Sequence, residues 1–210
     1  TDARREVREG RSKAAGRENV EPESRRAWRA WLKANHRSST GVWLVLRKKD
    51  SGLPRMDLEA ACEELVCFGW VDSQPAKLDA ARSKLLCTPR RPQAAWSKLN
   101  KQRYERMAAA GKVQDAGRLA MELAQANGKW MALDEVERLV IPPDLARELA
   151  SLPGAAKNFA AFPPSAKRGI LEWISMAKKP DTRATRIAKT ATLAARNERA
   201  NQWPRPKVRT

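Results

Sequence analysis

The stretch Cys67-Phe68-Gly69-Trp70-Val71-Asp72-Ser73-Gln74 places a thiol and a carboxylate on either side of a glycine. A thiolate at Cys67 would be a nucleophile and Asp72 an acid or base, so the chemistry on offer is thiol catalysis. That chemistry needs a neighbour that lowers the thiol pKa. His36 is the only imidazole in the chain, and nothing in the spacing brings it to Cys67. The simpler reading has Gly69 ending a helix while Cys67, Phe68 and Trp70 pack the core, free cysteine being among the most buried residue types. There is no P-loop, dinucleotide glycine motif, G-x-S-x-G or metal-spaced carboxylate set. Cys62, Cys67 and Cys87 with one histidine leave too few ligands for the usual zinc or haem sets, and their odd count excludes a disulfide scaffold. The expectation is a protein with no catalytic residue, no cofactor and no metal, and hence not an enzyme.

Anion binding is the better supplied chemistry. Forty-two Lys and Arg stand against 24 Asp and Glu, a formal charge of +18 on 210 residues. Residues 81–112 carry a net +8 and residues 163–210 a net +9, nearly the whole excess. In the first segment, T-P-R-R-P (88–92) fits neither a central strand nor a helix interior, because proline lacks the amide donor. It therefore presents Arg90 and Arg91 from a loop, and guanidiniums suit bidentate phosphate contacts. Trp96 either packs the core or stacks on a base. Lys98 and Lys101 share one side of the helix that follows, with Arg103 beyond them. In the second segment Lys178 and Lys179 precede a helix whose Ala184, Ile187, Ala188, Ala191, Ala194 and Ala195 fall within one arc. Arg183, Arg186 and Lys189 lie on the wider basic arc, which is expected to stay largely free. The plainer alternative for both segments is a solvated face of long cations.

These residues need elements to position them. Trp28, Trp31 and Leu32 recur at helical spacing over 22–35. Val42–Lys48 is β-branched and aromatic and reads as a strand. Asp57 can cap a helix striped by Leu58, Ala61, Cys62 and Leu65. Two short strands follow, Trp70–Gln74 and Ser83–Thr88, separated by a loop that begins Pro-Ala-Lys-Leu-Asp. Beyond Pro92 the pattern is helical: Ala94–Ala110, Gln114–Ala126, a short helix after Pro142-Pro143, another over 154–162, and helices started by Pro163-Pro164 and by Pro180. The fold class is α+β, a small N-terminal helix and sheet domain followed by a helical C-terminal region. The divisions are a flexible basic arm (1–20), an α+β domain (21–112), a helical part (113–200) and an extended basic tail (201–210). No run approaches the roughly 18 apolar residues of a membrane span, so no membrane insertion is expected.

The stretches R-A-W-R-A-W-L-K-A-N-H (26–36), G-V-W-L-V-L-R-K-K (41–49), C-F-G-W-V-D-S-Q (67–74), T-P-R-R-P (88–92), W-S-K-L-N (96–100), P-P-S-A-K-R-G-I-L-E-W-I (163–174) and A-K-K-P-D-T-R-A-T-R-I (177–187) occur in order over about residues 21–200. Together they resemble the bacteriocin-protection family called YdeI or OmpD-associated. The resemblance implies a small bacterial protein with an α+β front half and a helical end, linked to protection against bacteriocins or antimicrobial peptides. It brings no catalytic residues. Where that family commonly reads G-W-I-D-G-Q followed by Lys, this chain has Ser73 and then Pro75.

Charge and extended ends favour a non-enzymatic, basic nucleic-acid-binding protein, with RNA preferred over DNA. A structural place in a ribonucleoprotein such as an organellar or bacterial ribosome follows, among other proteins of that assembly. The expected contacts are Arg90, Arg91, Lys98, Lys101, Arg103, Lys178, Lys179, Arg183, Arg186 and Lys189. The expected location is intracellular, in the mitochondrial matrix or another organelle, or in the bacterial cytoplasm. The alternative is a YdeI-like stress or bacteriocin-protection protein acting through a protein partner, its charge serving an acidic surface.

Overall fold

Ser24 starts the first helix: its hydroxyl accepts the Ala27 N–H at 3.2 Å, and α1 runs Arg25–Asn35. Trp28 and Leu32, one turn apart, are both fully buried, and Trp28 stacks on Trp31 with ring centroids 5.3 Å apart. The computed structural model describes residues 16–48 and 56–201. Most of the expected arm and tail therefore lies outside the described residues. Thr1–Met131 and Ala132–Thr210 form two compact units.

In the first unit the Asp57 carboxylate accepts the Glu59 N–H at 3.2 Å and caps α2, Leu58–Cys67, which packs against α1. Gly69, at φ +69°, turns the chain straight from that helix into a strand. A Cβ there would also lie 2.7 Å from the Ala116 carbonyl oxygen, so the turn requires glycine twice over. The sheet has strand order β1-β2-β4-β3, with β1 at Asn19–Val20, β2 at Val42–Arg47, β3 at Trp70–Lys77 and β4 at Arg82–Pro89. β1 joins β2 in parallel, and the other pairings are antiparallel. Trp28, Leu32, Leu44, Leu65, Trp70 and Cys87 build the core between sheet and helices. Helices α3, Lys98–Ala109, and α4, Asp115–Ala126, follow. With Trp130 they enclose a second cluster on Trp96 and Tyr104.

Several boundaries differ from expectation. Asn19-Val20, expected in the arm, is a strand. Pro75, expected in a loop, lies within β3, where the register slips between Asp72 and Pro75. β3 is an edge strand of the described sheet, and such a strand tolerates a residue without an amide donor. Helix α3 starts at Lys98, four residues later than Ala94, because Ser97 supplies the cap by accepting the Asn100 N–H at 3.3 Å.

The described part of the second unit is helical: α5 at Asp134–Glu137, α6 at Pro143–Ser151, α7 at Ala155–Ala161, α8 at Pro164–Ser175 and α9 at Pro180–Ala195. Prolines open α6, α8 and α9, where a missing amide hydrogen costs nothing. Helix α9 packs on α6, α7 and α8 through Ile187, Ala191 and Ala194, all buried. Leu145, Phe159, Ile170 and Ile174 complete that core. A sheet in front and helices behind make the chain α+β, as expected. No helix among the described residues is long and apolar enough to cross a membrane.

Candidate functional site

Strand β4 ends at Pro89, and the next amide, Arg90 N–H, donates to the Gly69 carbonyl at 2.9 Å. That bond draws the T-P-R-R-P segment back over the α2–β3 turn instead of releasing it to solvent. The Arg90 guanidinium lies on the Trp96 ring, 4.1 Å from its centroid, and Nη1 donates to the Ala95 carbonyl at 3.3 Å. Nε and Nη2 are buried and have no acceptor. Burial pulls the guanidinium down to about 10, against the opposing field of Asp72. Trp96 is core, 1% exposed. Its ring meets Tyr104 and Trp130 at 5.9 and 5.0 Å, and its own Nε1–H also lacks an acceptor. Beside this pair opens a cavity of about 230 Å³ walled by His36, Phe68, Trp70, Arg90, Trp96, Leu119 and Leu123.

The remaining cations of the segment are dispersed. Arg91 is exposed at the cavity, and Lys98 is exposed on the first turn of α3. Lys101 is half-buried, its ammonium 5.5 Å from the Trp130 centroid. Arg103 turns inward, 7% exposed, and grips Glu59 with Nε at 3.1 Å and Nη2 at 2.6 Å. Arg106 shares Glu59 and reaches Glu63. On the other side of α2, Arg25 and Arg29 close on Glu64 at 2.6 and 2.7 Å, a carboxylate 2% exposed. The acids of α2 thus take up arginines from both flanking helices. Arg103 holds the Glu59 carboxyl below its ordinary value.

Cys67 is fully buried. Burial, reinforced by Glu64, pushes its thiol up to about 11, although Arg29 opposes the shift. Cys62 is pushed up to about 12 by burial and then Asp72. Burial therefore disfavours the thiolate at both positions. His36 Nδ1 lies 2.9 Å from the Leu32 carbonyl of its own helix, with its ring against Phe68. Among the described residues no cluster of His, Cys, Asp and Glu could hold a metal ion.

In the second unit the basic arc of α9 is less free than expected. Arg183 forms a two-point pair with Asp144, Nε at 2.7 Å and Nη2 at 2.9 Å, which holds that carboxyl below its ordinary value. Arg186 donates to the Trp173 carbonyl and lies 5.0 Å from the centroid of that ring. Lys178, Lys179 and Lys189 are exposed. The sequence missed the cavity itself, because its apolar wall comes from Leu119 and Leu123 on α4, far along the chain. Their four-residue spacing was the available signal; in the structure both stand exposed, 56% and 43%.

Residues 138–197 match a family model described as bacteriocin-protection, YdeI or OmpD-associated. The match lies wholly within the second unit. Residues 20–120 match a different model, described as a domain of unknown function (DUF8412). The family likeness is therefore established for the helical end, and the front-half motifs fall in the other match. No curated protein and no solved structure matches the chain. The match at 138–197 overturns the expectation of an RNA-binding ribosomal component and favours the protection alternative. The mitochondrial placement, argued from that assembly, loses its basis with it.

Proposed function

We propose that this chain is a YdeI-like protection protein that works by binding a protein partner with an acidic surface, without catalysing a reaction. The observation that carries this reading is the match of residues 138–197 to the bacteriocin-protection model. The charge of the second unit fits the role. Arg183 and Arg186 have partners within the unit, while Lys178, Lys179 and Lys189 stand exposed beside and along α9. Exposed ammonium groups add little affinity singly but raise association rates and select an oppositely charged surface.

Survival tests the proposal. Bacteria sensitive to a bacteriocin are given the full chain, or its K178E/K179E/K189E variant, and challenged. The chain should raise survival, and the folded variant should lose most of that gain. Equal survival with and without the chain rules the proposal out.

A further inference from the structure

Several arginines among the described residues hold a carboxylate with the parallel N–H groups of Nε and Nη2. Arg103 does so on Glu59, Arg168 on Glu137 at 3.1 and 2.9 Å, and Arg183 on Asp144. Arg90 has the same fork, more enclosed than the fork of Arg183, and nothing within the described protein accepts from it. A buried guanidinium with three of its five N–H donors unmade is a high-energy arrangement unless an anion completes it. Asp72 acts on Arg90 only through its field, and its ion pair is with Arg103 at 3.9 Å. Another unmade donor, Trp96 Nε1–H, belongs to the ring on which Arg90 lies.

We infer that the cavity beside Arg90 binds a small organic monocarboxylate with an apolar body. The Nε and Nη2 fork of Arg90 holds the carboxylate, and the body lies against Phe68, Trp70, Leu119 and Leu123. Two parallel donors match the two oxygens of a carboxylate. Beyond the fork the lining is mostly aromatic and aliphatic, which suits an anion carried on a hydrocarbon, while the exposed Arg37 and Arg91 add positive charge at the same opening. The cavity of about 230 Å³ has room for an acid of benzoate size. The fork is covered where the side chain now lies, so binding turns the guanidinium toward the cavity and changes its stacking on Trp96. This site lies in the first unit and does not depend on the protection reading.

Calorimetric titration of the full chain with benzoate tests the site, with tryptophan fluorescence followed in parallel. Benzamide serves as the neutral isostere and inorganic phosphate as the competing anion. One benzoate should bind per chain and change the fluorescence, with benzamide and phosphate each at least roughly tenfold weaker. R90Q should lose benzoate by a similar factor. Because removing a partly buried arginine can disturb folding, L119D provides a second variant. Leu119 is exposed, and a carboxylate on the rim should repel benzoate while circular dichroism stays unchanged. Benzoate binding no tighter than benzamide, phosphate binding more tightly than benzoate, or full binding by both folded variants would each overturn the inference.

Discussion

Arg183 in the second unit and Arg90 in the first present the same chemical fork in opposite states. Arg183 sits at the surface with its fork closed on Asp144; Arg90 is largely enclosed with its fork closed on nothing. The contrast teaches that a cation count along the sequence is not a map of free charge. Within residues 81–112 the cations are spent in three ways: Arg82, Arg103 and Arg106 on carboxylates, Lys84, Arg90 and Lys101 on aromatic rings, and Arg91, Lys98 and Lys112 on the exposed surface. In the second unit Arg183 and Arg186 are engaged, while Lys178, Lys179 and Lys189 are exposed. Burial with an incomplete set of partners marks a candidate site more sharply than net charge does.

The comparison can be broken at several points. If the second unit is a packed body of its own, Phe159→Ala, at a position with no exposure, should cost about 4 kcal/mol, read from the urea midpoint. In the first unit, Glu64→Ala leaves Arg25 and Arg29 facing a hole where a buried carboxylate stood. A loss of about 3 kcal/mol is expected, reduced from the fully buried case because both arginines are about one-third exposed. A loss below 1 kcal/mol would mean the α2 acids are ordinary surface partners. Gly117→Ala sharpens the packing claim. A Cβ there would stand 2.4 Å from the Cys67 carbonyl oxygen, so α4 must move from α2 at about 2 kcal/mol, and the benzoate response should fall as the cavity wall shifts. Asp144→Asn, opening the closed fork of Arg183, should cost only about 0.5 kcal/mol, since both partners are a third or more exposed.

Acid reports on the closed forks of both units. The Glu59 and Asp144 carboxyls are held below their ordinary values of 4.5 and 3.8 by Arg103 and Arg183. Each binds fewer protons folded than unfolded, so its stabilisation is complete above those ordinary values and fades as pH falls through the folded ones. Thermal midpoints should hold from pH 7 to about 5 and drop below about 4.5. A midpoint that rises on acidification would contradict the pairing.

Much of the fold was legible because its signals are local. Asp57 and Gly69 bound the second helix by their own side-chain or backbone chemistry, and the prolines at 143, 164 and 180 open helices where a missing donor is harmless. What escaped depends on distant partners. Asn19-Val20 has no pattern of its own and is a strand only because β2 accepts it. Pro75 reads as a loop until its strand proves to be at an edge. The site was legible in residue types and illegible in arrangement. Arg90 and Trp96 stood out, but that one lies on the other, beneath a wall from α4, follows from contacts no spacing announces. Arg103 looked like its neighbours until Glu59, 44 residues away, claimed it.

The most direct test sets the two forks side by side: titrate benzoate into the wild-type chain, R90Q and R183Q under one condition. The account requires tight, saturable binding to wild type and R183Q, with at least a roughly tenfold loss in R90Q. Equal binding by R90Q, or a loss confined to R183Q, would contradict it.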